Sequence, residues 1–589
     1  MSTLNPVLLT EQATQKLPKA LLLCMLLAYA ISGLIGRDPW RGDDAVGFGM
    51  ALAAANGEVW MQLQSVAGAG VAMEGPLWFW VVGVFIAVLG FLPAHVAAYV
   101  PVALCTVLAA YALWYAVYYL AKTPAAQLLA LALGGQPKPI AYAKAVADGA
   151  VLLLLATLGI ALRLHEINAQ SAQFALLCAA LLGASMSLYK PRLASVVLCL
   201  SVFALGACNG VLGVLPALVW LGVLAMLPAW CAVRRALPWI VLCAALGLAA
   251  PFGLAHALGQ PAYSEALWAW NVASIGIIPG SRLSWLLSNA AFVAWPALPF
   301  AAAALWRWRR FWREPHVWVG ASYLAVYSVS MLFRTSVNDA VVLALLPGAL
   351  VLAAFLLPAL PRVWMNAIDW FGVMALSTAA LLVWLVWTAM TLGWPSVFAK
   401  SVLRLVPGFD TSVQWPALLA ALCVSVFWMA VVRWRVLSAK TVVWRAAVVW
   451  SAGSLTVWVL LGSLFMPFAN HIKTYRGVAS ELKTALKDHS QCVSPLHLGL
   501  PQRALLAYFG EIRFERQPLQ TALDKQADNA PIDTPATVEC NWLLDYTPNV
   551  SRGAAQSAAY LPQGNWQLRW EGRRYRDKDE RLRLYQRAP

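Results

Sequence analysis

Along most of its length the chain alternates long apolar runs with short polar ones. The first run, Ala20 to Ile35, gives way to a polar, Gly-rich stretch from Gly36 to Trp80 that carries Asp43, Asp44, Glu58 and Glu74. Further apolar runs lie near 76–120, 143–162, 170–188, 193–208, 211–230, 237–255, 285–305, 316–333, 340–357, 370–391, 413–432 and 446–466. A helix needs about 20 apolar residues to cross the hydrocarbon of a bilayer, so each run reads as a crossing. The run at 76–120 is long enough for two helices, but the positive-inside argument below admits only one effective crossing there, with the remainder re-entrant or juxtamembrane. The pattern predicts an α-helical polytopic membrane protein with about thirteen transmembrane helices over residues 1–466. Ala20 to Ile35 follows Lys16 and Lys19 and leads into a charged loop without a small-residue cleavage site, so it reads as a first anchor.

From about Pro467 the pattern changes to that of ordinary soluble protein. Lys473, Arg476, Glu481, Lys483 and Lys487 have helical spacing, Val538 to Leu544 is strand-like, and NWQLRWEGRRYRDKDERLRLYQR alternates as a half-exposed hairpin does. Residues 467–589 therefore read as a separate, small α/β domain. No internal repeat or coiled coil is visible.

Charge sets the orientation. Trp306 to Arg313, WRWRRFWR, belongs in the cytoplasm because clustered Arg resists translocation. Counting crossings from it puts Lys190/Arg192, Arg234/Arg235, Arg362 and Arg433/Arg435/Lys440/Arg445 on the same side. The first loop (37–75), Arg163 to Asn168, His256 to Arg282, Arg334 to Asp339, Leu392 to Gln414 and the whole C-terminal region then lie outside. The formal net charge is +16, but Lys and Arg are spread over short loops and form no contiguous stripe. This excludes a nucleic-acid partner and fits topology and anionic membrane lipids. Only 12% of residues are charged, against roughly 25% in soluble proteins. Eight of the ten cysteines lie in apolar segments; Cys492 and Cys540, in the polar region, can pair if that region faces an oxidising compartment.

No Walker loop, GxGxxG after a strand, HExxH or spaced Cys/His set is present, so nucleotide-driven transport and soluble nucleotide-sugar chemistry lack a site. What remains is a set of acids, bases and aromatics on the outer face. Either Asp43 or Asp44 can take a proton from a hydroxyl or hold a divalent cation beside a phosphate; a helix N-cap is the plainer alternative. His165 and Glu166 suit a metal site or proton transfer, and equally an interfacial turn. Arg334, with Asn338 and Asp339, suits phosphate recognition or a helix-capping ion pair. His256, Tyr263, Glu265, Trp268, Trp270 and Arg282 form a longer outer stretch whose aromatics suit sugar stacking or an interfacial belt.

Three groups of residues resemble a known family. They are RDPWRGDD (Arg37 to Asp44), followed by Glu74-Gly75-Pro76-Leu77-Trp78-Phe79-Trp80; Leu286 to Arg310, ending in WPALPFAAAALWRWRR, with the apolar segment Arg334 to Ala354 and its Pro347; and, after the last helix, TYRGVASELK and PQRALLAYFGEI. Together they resemble the GT-C class of polytopic glycosyltransferases, specifically the bacterial aminoarabinose (lipid A) transferases and protein mannosyltransferases. The resemblance implies a GT-C-like fold in the bacterial inner membrane, with the active site and C-terminal domain periplasmic. It further implies a polyprenyl (undecaprenyl) phosphate sugar donor and a lipid A, glycan or protein acceptor. Transfer would be direct and inverting, with Asp43 or Asp44 acting on the acceptor and Arg334 on the leaving phosphate. A divalent metal at His165 and Glu166 is the only cofactor considered, and Glu166 stands about where the family has another acidic residue. One departure is plain: the family's usual Lys-Pro-Pro-Leu is Glu74-Gly75-Pro76-Leu77 here. With a carboxylate in place of the cation, the phosphate contact falls to Arg37, Arg41, Arg282 or Arg334. The alternatives are a lipid-linked saccharide flippase or export component, and an oligosaccharide ligase or polymerase using a diphosphate-linked donor.

Overall fold

Helices dominate, as the apolar runs require. The computed structural model describes residues 9–15, 17–40, 42–128, 135–157, 159, 161–335, 339–405, 409, 411–438, 442–486, 492–521, 540–548, 565–574 and 580–588. Among these, ten helices are long and apolar enough to cross a membrane, and two shorter apolar helices, Lys19–Ile31 and Leu77–Val88, accompany them. The run at 285–305 is divided between Gly280–Val293 and Ala297–Arg307.

The runs at 193–208 and 211–230 are joined into one helical stretch, Pro191–Leu224, broken at Gly210 (φ 60°, ψ −151°). The chain reverses there. A Cβ at Gly213 would lie 3.1 Å from the carbonyl oxygen of Leu205, eight residues earlier, whereas a straight helix would separate those levels by roughly 12 Å. Only a residue tolerant of positive φ can make the turn, so Gly210 sets two antiparallel helices side by side.

The long run at 76–120 resolves into Leu77–Val88 and Ala94–Ala121. Twelve residues span only about 18 Å, too short for the hydrocarbon. Moreover, both ends of the short helix lie on one face: Glu74 precedes it, and His95, just after it, bonds Tyr508 of the C-terminal region through Nδ1 at 2.9 Å. This stretch therefore makes one crossing.

The basic loops gather on the opposite face. The Val443 N–H donates to Ala13 O (2.9 Å), the Glu11 N–H to Gly135 O (2.8 Å), and Arg234 caps the Ala225 carbonyl at 2.7 Å. Asp369 lies between Arg435 and Arg445, each at 2.8 Å. Among the described residues, the first loop, the Arg163 to Asn168 turn, the 256–282 segment and residues 334–335 are found together on the other side, linked by Ile167 to Asp44, Leu63 to Gln260 and Ser274 to Thr335.

The C-terminal region holds a five-stranded sheet in the order 513–514, 492–496, 542–548, 580–587, 566–572, parallel in its first three strands and antiparallel after. The last two form the expected hairpin, and burial alternates along Glu580–Arg587. Cys492 and Cys540 are disulfide-bonded with their Cα atoms 5.5 Å apart.

This region docks directly on the first loop. Its strand Gln517–Thr521 pairs in parallel with Ala69–Ala72 of the first loop, which pairs in turn with Ser65–Val66. Arg503, buried, bonds Ala67 O at 2.8 Å and Gln517 Oε1 at 2.6 Å. The first loop and the C-terminal region therefore share backbone hydrogen bonds.

Candidate functional site

The polar face centres on the helix Asp43–Ala55, which begins with its two acids. Carboxylates in a first turn face the positive end of the helix macrodipole and are stabilised there. Consecutive helical residues project about 100° apart, so the two side chains enter different surroundings.

Asp44 turns inward and is 2% exposed. Its Oδ2 accepts from Arg37 Nη2 (2.9 Å), Tyr99 Oη (3.1 Å) and the Trp40 N–H (3.3 Å), and its Oδ1 accepts from the Ile167 N–H (2.8 Å). Arg37, fully buried, also donates to His165 O at 3.0 Å and lies 4.1 Å from the Trp40 ring. The sequence allowed Asp44 a catalytic role and Arg37 a phosphate contact. The structure places them together inside a knot that fixes the first loop to the Arg163 to Asn168 turn, and neither lines the cavity described below.

His165 sits in the same knot, with both ring nitrogens facing backbone carbonyls, Ala161 O from Nδ1 and Tyr29 O from Nε2 at 2.8 Å. Burial pushes its pKa down to about 4. Glu166 accepts from Arg163 at 2.9 Å on both oxygens and from Asn168 at 3.2 Å. Its pKa is pushed up to about 7, first by burial and then by the charge on Asp44. Among the described residues no group of three or more His, Cys, Asp and Glu could hold a metal ion. The pair does not fit a metal, because the His nitrogens that would bind one are already directed at main-chain oxygens.

Asp43 turns the other way, into a cavity of about 390 Å³ that it lines with Glu74, Arg334, Asn168, Gln170, Asn209, Trp270 and Thr335. Three residues singled out from distant parts of the sequence thus meet at one space. Leu500 and Pro501 of the C-terminal region close part of its wall. The pKa of Asp43 is raised by burial, against the pull of Arg163 and with a further push from Asp44.

Glu74 adopts a left-handed backbone (φ 52°), and Gln170 Nε2 donates to its Oε1 at 2.8 Å. Burial pushes its pKa up to about 7, opposed by the Gln170 bond and by Arg334, with Asp43 adding to the rise. Gly75 explains why this segment can lie so deep. Its N–H bonds Cys208 O at 2.9 Å, and a Cβ there would fall 1.9 Å from Ala207 O. Arg334 follows the span Pro315–Phe333 and is held by a bridge to Ile275 and by Thr335 N–H to Ser274 O at 3.2 Å. Burial lowers its pKa while Glu74 supports its charge.

Beside this cavity runs an apolar groove of about 780 Å³ along helix 211–224 and the span Pro315–Phe333. Leu212 lines both spaces, and Ile275 and Phe333 of the groove adjoin Ser274 and Arg334 of the cavity. A charged chamber therefore adjoins a hydrocarbon-like slot.

Arg282 lies exposed on helix Gly280–Val293 and does not line the cavity. The sequence puts this Arg in a loop, whereas the structure puts it on an outward helical face. Arg41, Asn338 and Lys440 lie outside the described residues. Of the aromatic stretch, Trp270 reaches the cavity, while Tyr263 is buried and donates to Gln64 Oε1 at 2.9 Å. Nothing in the sequence marks Tyr99, embedded in an apolar run, or Gln170 and Asn209, whose neutral amides carry no charge signal. Lys473, 4.1 Å over the Trp40 ring, shows in the sequence only as part of a helical pattern.

A polytopic bundle, a structured first loop and a small mixed-sheet domain docked on it together make up a multi-pass membrane fold. This fold is similar to that of ArnT. The crystal structures of ArnT from Cupriavidus metallidurans, one bound to undecaprenyl phosphate and one in the apo state, each match 96% of this chain and 97% of their own at 13% identity, with a TM-score of 0.67. No protein-family model matches the sequence, and no curated protein does.

Proposed function

We propose that this protein is a membrane glycosyltransferase that moves a sugar from a polyprenyl-phosphate donor to a hydroxyl of a lipid A, glycan or protein acceptor, at the periplasmic face of a bacterial inner membrane. The observation that carries this is the junction of the Asp43–Glu74–Arg334 cavity with the apolar groove at Leu212. A lipid-linked sugar has the same three parts in the same order: an isoprenoid for the groove, a phosphate for an Arg at its mouth, and a sugar for the chamber beyond. The ArnT structure of similar fold is bound to undecaprenyl phosphate, which supports this donor class.

In this scheme the Asp43 carboxylate accepts the proton of the acceptor hydroxyl, and the oxygen attacks the anomeric carbon opposite the phosphate. The bond from that carbon to the phosphate oxygen breaks, and polyprenyl phosphate leaves with its charge met by Arg334. One displacement inverts the anomeric centre. A general base contributes typically 10²–10⁴-fold, and a raised carboxylate pKa improves it by making the base a better proton acceptor. Trp270 offers a ring face for the sugar.

The test is incubation of the purified protein with radiolabelled polyprenyl-phosphate sugars and an outer-envelope acceptor fraction. Label transfer that disappears in Asp43→Asn and in Arg334→Gln supports the scheme. Absence of transfer from every monosaccharide donor would instead favour a flippase or a diphosphate-dependent ligase.

A further inference from the structure

The carboxylate of Glu74 stands where a phosphate is to be held. It lines the same cavity as Arg334, and its position is set by backbone: the Gly75 N–H to Cys208 O bond and the close approach to Ala207 O leave the segment no room to withdraw. Gln170 occupies Oε1, which leaves Oε2 for the cavity. Among the described residues Glu74 forms no ion pair. The charged and titratable groups around it are Asp43 from helix Asp43–Ala55, Arg334 from the segment after the span, and Cys208 from helix 191–209. Asn168, Gln170, Asn209, Trp270 and Ser274 complete the wall without charge.

The charge count then makes a donor phosphate a problem. The charges lining the chamber are Asp43, Glu74 and Arg334, with Arg163 also pulling on Asp43, and a phosphodiester docked beside Glu74 adds a negative charge in a poorly solvated space. Like charges sharing such a site do not all remain ionised. Asp43 has to stay ionised to act as base, so the proton goes to the other acid.

Resting on the function proposed above, we propose that Glu74 takes up one proton from solution when the donor phosphate docks on Arg334, and then donates its O–H to a phosphate oxygen. Donor binding is thereby proton-coupled, and the carboxyl that replaces the family's cation becomes a phosphate ligand in its protonated form. Because the free carboxyl titrates at about 7, it is protonated and ready below that pH and must be recharged with a proton above it. Affinity therefore falls as pH rises through that value. Binding restricted to the protonated form weakens by about 30-fold between about pH 6 and about pH 8.5.

The full chain in nanodiscs is titrated with undecaprenyl methyl phosphate, a phosphodiester whose single charge does not change over this range. Wild-type protein is expected to lose affinity by roughly 30-fold, with uptake of one proton at high pH measured by calorimetry in buffers of different ionisation enthalpy. Glu74→Gln is expected to bind equally at both pH values. Glu74→Asp, which retains an ionisable group, keeps a fall and controls for misfolding of the amide variant. A flat wild-type profile, or an unchanged fall in Glu74→Gln, overturns this inference and leaves the donor class standing. No binding of the lipid at any pH overturns both.

Discussion

Asp43 and Asp44 are neighbours in sequence, yet one belongs to a closed knot and the other to an open chamber. In the knot every charge has a fixed partner: Asp44 has Arg37, Tyr99 and two backbone N–H groups, and Arg37 has Asp44 and a carbonyl. In the chamber, Asp43, Glu74 and Arg334 share a space large enough for a ligand. The contrast teaches where charge is spent. Asp44 is committed to holding the first loop in place, while Asp43 faces a space that a ligand can enter.

The largest expected effects separate the two acids by kind. Asp43→Asn is expected to lower transfer by about 10²–10⁴-fold, with little change in thermal unfolding. Its dependence on pH has a definite sign: in a Glu74→Gln background, kcat/KM rises as pH rises through the elevated pKa of Asp43, because only the ionised form is a base. Asp44→Ala should do the opposite in kind, leaving Arg37 charged and buried without its carboxylate. Removing one partner of a buried pair costs about 3–5 kcal/mol, read as a loss of folded protein in detergent. Equal stability in Asp44→Ala, or full activity in Asp43→Asn, would break the comparison.

Next in size is Gly75→Ala, which tests whether the chamber depends on the close approach of two backbones. The added methyl would sit 1.9 Å from Ala207 O, so the 74–75 segment has to move away from helix 191–209. Overpacking of this kind costs about 1–3 kcal/mol. Because Glu74 moves with it, the donor KM is expected to rise more than kcat falls. A variant of unchanged KM would mean that the chamber wall is more yielding than its contacts imply.

Much of this architecture is legible in the sequence because membrane physics is coarse. An apolar run near 20 residues has few alternatives, and WRWRRFWR identifies a side of the bilayer with the other basic loops in agreement. The doublet Asp43–Asp44 is legible as a pair, but the division of labour between them is not, since it depends on a rotation of about 100° relative to a fold not yet known. Arg282 and Arg334 look alike as isolated cations beside apolar runs; only packing shows that one faces outward. Tyr99 has one polar atom in a greasy helix, and nothing marks it before its partner is found. The union of Ala69–Ala72 with Gln517–Thr521 was hidden for another reason: AGVA is too short and too uniformly apolar to alternate, and its partner is most of the chain away.

That union bears on the smallest expected effect. The C-terminal region also touches the first loop through Arg476, which bonds Asp38 with Nε at 3.1 Å and Nη2 at 2.5 Å. The Arg476 side chain is 55% exposed, so solvent screens the pair even though Asp38 is buried. Asp38 keeps further support from Asn470, which accepts its N–H at 3.2 Å. Arg476→Ala should therefore cost no more than about 1 kcal/mol in stability and leave transfer within a few-fold of wild type. If the same substitution abolished transfer while the protein stayed folded, the chamber would be held through this ion pair and not through the shared strands. The knot, the chamber and the C-terminal region would then have to be treated as one electrostatic unit.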